Sequence, residues 1–281
     1  MPQDKNDGLK IGELPEMSIV PLETVDFHEE PDTERVADLV ERFGADGVLK
    51  NPPVVAKTNQ ASHFLLLDGA NRITALRTLD FPHVLVQVID FLEPGLVLSH
   101  WHHAIEHLSA NQLLDHAATI EGVTIARKQK FMPAEPRLLC GLTFPDNSKT
   151  ILEGAEDLVV RMKQLQQFTS FYHRRATMDR VSYTNLNHLR QNYPNFTALV
   201  TFAPLTKDDL LALTAASTRL PSGVTRVVLP KRALRFNLQL DFLRSGKTTE
   251  EKNIWLRDTI QRMIGEKCIR FYREPTFFFD E

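Results

Sequence analysis

The sequence predicts an α/β (α+β) protein made of two lobes with a cleft between them. Its 281 residues are 42% apolar and 25% charged, enough to bury one large core or two smaller ones. Apolar runs of strand length alternate with helical patterns through the first hundred residues, and elements of mixed length follow. We predict a first lobe over residues 1–100, a second mixed α/β lobe over 101–219, a return segment over 220–245, and a C-terminal helix and tail over 246–281.

The first lobe is predicted to open with a strand and an amphipathic helix. Residues 17–25 predict a short strand that enters a turn, and Asp32 stands where a helix N-cap belongs. The apolar positions that follow share one helical face: Val36, Leu39, Val40 and Phe43. Gly44 and Gly47 are expected to end this helix.

Two buried strands and a polar turn come next. Strands are predicted over residues 54–56 and 63–67, and the second runs directly into the turn at 68–72. A helix follows, with a buried side made of Ile73, Leu76 and Leu79. A strand over 84–91 completes the lobe. Farther along the chain, helices are predicted over 155–168, 207–216 and 254–264, with a terminal aromatic run after them.

Composition excludes several classes of protein. The 33 basic and 36 acidic residues leave a net charge of -3, so nucleic acid is not expected as a partner. Cys140 and Cys268 are too few for a zinc cluster or a disulfide framework, which fits a reducing cytoplasm. The first eight residues lack the apolar core of a signal peptide, and no run reaches the roughly 18 apolar residues of a membrane span.

The turn Asp68-Gly69-Ala70-Asn71-Arg72 is the most informative stretch. A helix that begins directly after a strand presents unpaired N–H groups and a positive dipole end, which can bind phosphate. Gly69 and Ala70 leave room for an anion, and Asn71 and Arg72 can donate to its oxygens. Asp68 can ligate a magnesium ion that bridges phosphates. The structural alternative is that Asp68 caps the helix and Arg72 is a surface cation.

His28-Glu29-Glu30 precedes the first predicted helix, where side chains project from a scaffold. A carboxylate there can take a proton from a substrate hydroxyl. The alternative is that Glu29 and Glu30 are solvated acids near the positive end of that helix.

Histidines cluster at the start of the second lobe: His100, His102, His103, His107 and His116. His103-Ala104-Ile105-Glu106-His107 has the H-x-x-E-H spelling of a zinc peptidase class, and on a helix two histidines four apart share a face. No third ligand can be identified, so partly exposed histidines are the default expectation. Trp101 beside them is by default a packed aromatic.

The loop Pro221-Ser222-Gly223-Val224-Thr225-Arg226 combines two hydroxyls, a glycine and a guanidinium, which can grip a carboxylate or a phosphate. Taken in order, His28-Glu29, the turn at 68–72, Trp101 and the stretch 222–230 resemble the free-serine kinases of the ParB/sulfiredoxin-like superfamily. The likeness spans roughly residues 20–242 and is strongest to the SbnI-like branch found with siderophore biosynthesis.

This resemblance implies a ParB/sulfiredoxin-like N-terminal lobe that binds nucleotide, a second mixed α/β lobe and an active-site cleft between them. It implies a kinase that transfers a phosphoryl group from ATP or ADP, with Mg²⁺, to the hydroxyl of free L-serine. The product, O-phospho-L-serine, would feed a diaminopropionate pathway. The alternative is a binding module of the same fold that senses nucleotide or haem and regulates transcription without turnover.

The resemblance also implies roles for single residues. Glu29 is the catalytic base, and His28 orients it or contacts the phosphate in flight. Nucleotide phosphates and the metal are held at Asp68, Gly69 and Arg72. Ala70 and Asn71 belong to the same phosphate turn, but archaeal members have two histidines in their places, so an imidazole contribution is lost.

For the amino acid, the family's Ser-x-x-Thr-Arg loop maps onto Ser222, Thr225 and Arg226, and Trp101 joins this substrate site. Arg226 would hold the serine carboxylate, while Val227 replaces a histidine of the family. Sulfiredoxin chemistry is excluded because no cysteine stands in the phosphate turn. The Gly-Glu-Arg-Arg box and helix-turn-helix of chromosome-partitioning ParB proteins are also missing from the sequence.

Overall fold

The computed structural model describes residues 14–58, 62–127 and 136–272, and it has the α/β architecture that the sequence predicts. The first eight residues and the terminal aromatic run lie outside these ranges. The strands are β1 (Glu16–Pro21), β2 (Val25–Phe27), β3 (Val48–Leu49), β4 (Val54–Lys57), β5 (Phe64–Asp68), β6 (His83–Asp90), β7 (Val97–His100), β8 (His102–Glu106), β9 (Thr124–Arg127), β10 (Leu138–Thr143), β11 (Lys149–Glu153), β12 (Thr177–Val181), β13 (Phe196–Phe202), β14 (Thr225–Val228) and β15 (Leu238–Gln239). The helices are α1 (Thr33–Asp46), α2 (Ala70–Thr78), α3 (Ala110–Thr119), α4 (Leu158–His173), α5 (Leu186–Asn192), α6 (Lys207–Ala215), α7 (Leu240–Arg244) and α8 (Thr249–Gly265).

The first sheet has the strand order β1-β6-β4-β5-β2 and mixes both pairing senses. β4 pairs parallel to β6 and β2 parallel to β5, while β1–β6 and β4–β5 are antiparallel. The apolar stripe predicted for α1 packs into the core of this sheet together with the buried side of α2. The strand, turn and helix order predicted for residues 63–79 is confirmed.

The ends of α1 follow local chemistry. The Asp32 side chain accepts a hydrogen bond from the Arg35 N–H at 3.2 Å, which confirms it as the N-cap. Gly47 ends the helix in the left-handed conformation (φ 62°) and donates its N–H to the Phe43 carbonyl. The expectation that Gly44 helps to end the helix is wrong, because one glycine inside a helix costs only about 1 kcal/mol relative to alanine.

The second sheet has the order β12-β8-β13-β10-β11-β9, with antiparallel neighbours throughout. The predicted helix at 155–168 begins at Leu158 instead, because the Asp157 side chain caps it by accepting from the Val160 N–H at 2.9 Å. Val54 and Leu65 of the first sheet belong to the same buried cluster as residues of the second. The two lobes therefore share a core.

The return segment crosses both lobes. β14 pairs with β7, and β15 pairs with β3. Leu220 forms a parallel bridge with Glu29, and the Trp101 N–H donates to the Val224 carbonyl at 2.9 Å. Backbone hydrogen bonds thus fix the loop at 221–226 beside Glu29. Among the helices of the described ranges, none has the length and apolarity of a membrane span.

Candidate active site

A cleft of about 930 Å³ lies where the first sheet, α1, α2 and the return segment meet. Every residue that the family resemblance assigned to the site lines it: His28, Glu29, Asp68, Gly69, Ala70, Asn71, Arg72, Trp101, Ser222, Thr225 and Arg226. These residues come from four separate stretches of the chain. The structure therefore brings these stretches around one cleft: residues 28–29, the turn at 68–72, Trp101 and the loop at 221–226.

The Glu29 carboxylate is held by the loop at 221–226. Its Oε1 accepts from the Gly223 N–H at 2.7 Å. Its Oε2 accepts from the Thr225 N–H at 2.9 Å and from the Thr225 hydroxyl in a short contact. The alternative of a freely solvated acid is therefore wrong for Glu29. Glu30 differs, since within the described ranges its exposed carboxylate pairs with Arg219 alone, at 3.3 Å.

His28 is buried, and the Thr225 hydroxyl lies between its ring and the Glu29 carboxylate. Its Nδ1–H donates to the Leu66 carbonyl at 2.6 Å, because a carbonyl only accepts. Its Nε2 lies 2.9 Å from the Thr225 hydroxyl oxygen. Burial lowers the pKa of His28, although the charge of Glu29 opposes this, so the neutral imidazole with Nε2 as acceptor is favoured.

The Thr225 hydroxyl therefore stands between two acceptors, Nε2 of His28 and Oε2 of Glu29, with one proton to give. An extra proton on either neighbour satisfies both contacts at once. When the Thr225 proton is given to Glu29, neutral His28 faces the hydroxyl oxygen with no proton between them, and a proton on Nε2 of His28 would complete a hydrogen-bonded chain to the carboxylate.

The turn at residues 68–72, called the cradle from here on, has the geometry of an anion-binding site at the start of a helix. β5 ends at Asp68 and α2 begins at Ala70, with Gly69 between them at φ 104° and no side-chain cap on the helix. A Cβ at Gly69 would lie 2.9 Å from the Pro53 Cβ, so only glycine fits there. The first N–H groups of α2 are therefore left for a ligand or water.

Asp68 does not cap α2, so that structural alternative is wrong. Its Oδ2 accepts from Arg72 Nη2 at 2.8 Å and from Arg232 Nη2. Desolvation alone would raise the pKa of Asp68, but Arg72 and Arg232 outweigh it and hold that pKa below its usual value. Arg72 also donates to the Asn51 carbonyl at 2.7 Å, so it is a half-buried member of the cradle and not a free surface cation.

Asn71 ties the cradle to α1. Its side-chain oxygen accepts from the Asp32 N–H at 2.8 Å, which brings the starts of α1 and α2 together.

Elsewhere in the cleft, the Arg226 guanidinium lies 4.8 Å from the centre of the Trp101 ring, a cation–π contact. Trp101 is therefore a platform for this arginine and lines the cleft, contrary to the default of a packed aromatic.

Four arginines that line the cleft were missed at the level of sequence: Arg35 and Arg42 on α1, Arg180 on β12 and Arg232 after β14. Arg232 stands in a Lys231-Arg232 pair that follows the hydroxyl loop, and that pair was an available signal. Arg180 carries no local signal, because it sits in a short strand of alternating polar residues. Its Nη2 donates to Ser222 Oγ at 3.0 Å.

The zinc interpretation of the histidine cluster is wrong. Residues 102–106 form strand β8 and not a helix, and in the described ranges no group of three or more potential ligands could hold a metal ion. His103 is fully buried, which also contradicts partial exposure. Its Nε2–H donates to the Gly223 carbonyl at 2.8 Å, and the Tyr172 hydroxyl donates to its Nδ1 at 2.7 Å. Burial lowers the pKa of His103 to about 3.

Comparisons with known proteins agree with this architecture. No model of a known protein family matches the chain. It is 20% identical over 273 residues to the ATP-dependent L-serine kinase SbnI of Staphylococcus aureus, covering 94% of this chain and 97% of that protein. It is 32% identical over 98 residues to an ATP-dependent L-serine kinase of Staphylothermus marinus, 35% of this chain and 38% of the relative.

Solved structures give the same result for the fold. A free serine kinase in complex with AMP matches with a TM-score of 0.71 at 14% identity, covering 85% of this chain and 97% of that one. C-terminally truncated SbnI from Staphylococcus aureus matches with a TM-score of 0.66 at 19% identity, covering 90% and 97%. The chain therefore has the fold of these proteins, which confirms the fold that the sequence resemblance implied.

Proposed function

We propose that this chain, which shares its fold and near full-length sequence similarity with serine kinases, is itself an ATP-dependent L-serine kinase. One observation carries the proposal for the site: the carboxylate of Glu29 and the cradle at 68–72, far apart in sequence, line the same cleft. A base and a phosphate-binding helix start around one space are what transfer of a phosphoryl group to a hydroxyl needs.

The proposed step is a direct displacement. The hydroxyl oxygen of free L-serine forms a bond to the γ-phosphorus of ATP as the bond from that phosphorus to the bridging oxygen breaks. The hydroxyl proton passes to Glu29, and ADP leaves with O-phospho-L-serine. Because the transition state is loose, alignment and charge neutralisation contribute more than proton removal.

The three donors on Glu29 support its role as the base. They fix the carboxylate against the loop and leave a lone pair on Oε1, which accepts only the Gly223 N–H, for the substrate proton. His28 acts through Thr225 by holding the hydroxyl that contacts Glu29. The Thr225 and Ser222 hydroxyls already contact Glu29 and Arg180, so we assign both residues to the organisation of the substrate site.

We assign the polyphosphate of ATP to the cradle. The free N–H groups of Ala70 and Asn71 and the positive end of the α2 dipole attract phosphate oxygens, and Arg72 and Arg232 add two positive charges beside Asp68. We assign the serine carboxylate to Arg226, because its stacking on Trp101 leaves the edge of the guanidinium available for a bidentate contact.

Magnesium fits this cradle through Asp68. Arg72 and Arg232 both contact Oδ2, and the lowered pKa keeps the carboxylate ionised, which is the form that ligates a cation. Mg²⁺ commonly takes only one or two protein carboxylates and completes its shell with phosphate oxygens and water. When bound, it would neutralise charge on the phosphates. A cytoplasmic site of action and the supply of a siderophore precursor remain part of this proposal.

Mass spectrometry tests the function. The purified chain is mixed with Mg²⁺, L-serine and either ATP or ADP, and O-phosphoserine is measured. We expect product with ATP, and a loss of about 100-fold or more in kcat for Glu29→Gln. Glu30→Gln is the matched control, because it removes the neighbouring charge without touching the loop, and it should keep its activity.

Two outcomes would count against the proposal. Nucleotide binding without phosphoserine would favour the sensing module of the same fold. Full activity in Glu29→Gln, measured well below its unfolding temperature, would remove Glu29 as the base. A panel of hydroxy amino acids, with L-threonine and L-homoserine beside L-serine, then measures the acceptor range.

A further inference from the structure

Arg180 is a cation of the second lobe that projects into the cleft of the first. It lies on β12, which pairs with β8 in the second sheet, and its side chain lines the cleft beside Glu29. Within the described residues its guanidinium makes one hydrogen bond, from Nη2 to Ser222 Oγ at 3.0 Å. Arginine has five N–H donors, so most of them are left for another acceptor.

The position of this guanidinium is set by Gly223. A Cβ added at Gly223 would lie 2.5 Å from Cζ of Arg180, and the glycine is at φ 78°. A side chain at position 223 would therefore clash with the guanidinium in its present position. The same Gly223 donates its N–H to Glu29 at 2.7 Å, so Arg180 packs directly on the residue that holds the proposed base.

The charges around Arg180 place it at the cradle. Glu29 attracts it most strongly among the charged groups, but that carboxylate already accepts three hydrogen bonds, and Arg180 gives none of them. Asp32 and Arg35, in the first turn of α1, also act on it. Asp32 accepts no contact from Arg180 but donates its N–H to Asn71 of the cradle, and Arg180 lines the same cleft as Asn71. A largely desolvated cation with few partners there is stabilised when an anion enters.

We propose that Arg180 binds the phosphoryl group during its transfer from ATP to serine. This inference rests on the proposed function. In the displacement, the oxygen–phosphorus bond to serine forms, the bond to the bridging oxygen of ADP breaks, and the proton goes to Glu29. Negative charge then lies on the three equatorial oxygens of the transferring group, and the free N–H donors of Arg180 neutralise it. Arg226, on the Trp101 side, is left for the carboxylate.

Steady-state kinetics of Arg180→Gln and Arg180→Lys test this role. We expect kcat to fall about 100-fold or more in Arg180→Gln, with the KM values for ATP and serine changed less than threefold, because the contact forms only in the transition state. Arg180→Lys should recover part of kcat, and added guanidinium chloride should partly rescue Arg180→Gly. Arg174→Gln removes an exposed arginine outside the cleft and is the matched control.

Binding of a transition-state mimic gives a readout that needs no turnover. ADP with aluminium fluoride should bind the wild-type chain at least 50-fold more tightly than Arg180→Gln, while ADP alone binds both equally. An unchanged kcat with equal binding of the mimic would overturn the role of Arg180, as would a raised KM for serine alone. If the wild-type chain makes no phosphoserine, the proposed function fails. The relative affinity of wild type and Arg180→Gln for ADP with aluminium fluoride then tests separately whether Arg180 binds a phosphoryl group.

Discussion

Replacing Glu29 by glutamine is expected to cost stability as well as activity, because the glutamate side chain is part of the structure of its loop. The carboxylate accepts the N–H groups of Gly223 and Thr225 on different oxygens. Glutamine keeps one of these oxygens and places an NH₂ group where the other was. In either orientation, an amide donor then faces a backbone donor.

The magnitude follows from this loss. A hydrogen bond to a charged group contributes about 1.5–3 kcal/mol, and at least one such bond to Glu29 is replaced by a donor–donor contact. We therefore expect Glu29→Gln to lower the free energy of unfolding by about 1.5–3 kcal/mol. For a chain of this size, with an entropy of unfolding of about 0.6 kcal/mol/K, the midpoint of thermal unfolding should fall by roughly 3–5 °C. Glu30→Gln, which loses only an exposed ion pair, should change the free energy by less than about 0.5 kcal/mol.

Urea unfolding followed by circular dichroism gives the free energy, and a thermal scan gives the midpoint. Each variant is compared with the wild-type chain at pH 7 without ligand. A Glu29→Gln chain as stable as wild type, or more stable, would refute the three-donor geometry. Such a result would mean that the partly buried negative charge of Glu29 lowers the stability of the fold, because its hydrogen bonds do not compensate for its desolvation.

Three further perturbations have expected outcomes. Gly69→Ala, strained at φ 104° and 2.9 Å from the Pro53 Cβ, should weaken ADP binding at least tenfold by calorimetry, and unchanged affinity would contradict the cradle. Thr225→Val should lower kcat about tenfold or more, because it removes the hydroxyl that His28 contacts. Thr225→Ser keeps a hydroxyl and should keep a kcat near that of wild type. Equal kcat values for the two variants would contradict a role for the hydroxyl. Burial lowers the pKa of His103 to about 3 from an ordinary 6.5, so the imidazole binds a proton in the unfolded chain at a higher pH than in the folded chain. The free energy of unfolding should therefore fall by about 1.4 kcal/mol per pH unit as the pH drops from 6.5 towards 3. Urea titrations at pH 7, 5.5 and 4.5 should show a shallower fall for His103→Gln, and a slope equal to wild type would contradict the assignment.

The sequence could predict the parts of the site that local chemistry determines. Strand, glycine turn and helix over 63–79 follow from apolar periodicity, and the Asp32 cap follows from residue type. A short motif with a fixed order of polar residues was also enough to bring in the resemblance. The histidine cluster misled because the H-x-x-E-H spelling has meaning only on a helix, and β-sheet pairing of 102–106 overrides that spacing.

The part that could not be predicted depends on contacts between the lobes. Arg180 and His103 come from neighbouring strands of the second sheet, and both contact Gly223, one by packing on it and one by a hydrogen bond to its carbonyl. The N–H of the same glycine donates to Glu29. Neither contact can be predicted from periodicity or from a local motif, because each joins Gly223 to a single residue more than forty positions away in the sequence.

Gly223 is thus where the second lobe contacts the loop that holds Glu29, the proposed base. Its peptide is held from below by the buried His103, covered by the guanidinium of Arg180 and bound through its N–H to Glu29. A loop held by these three contacts cannot reposition the carboxylate without breaking one of them, so Glu29 is preorganised for its proposed role before substrate enters. It follows that damage to the core of the second sheet, well away from the phosphates, should reduce kcat through this glycine more than it reduces affinity for nucleotide.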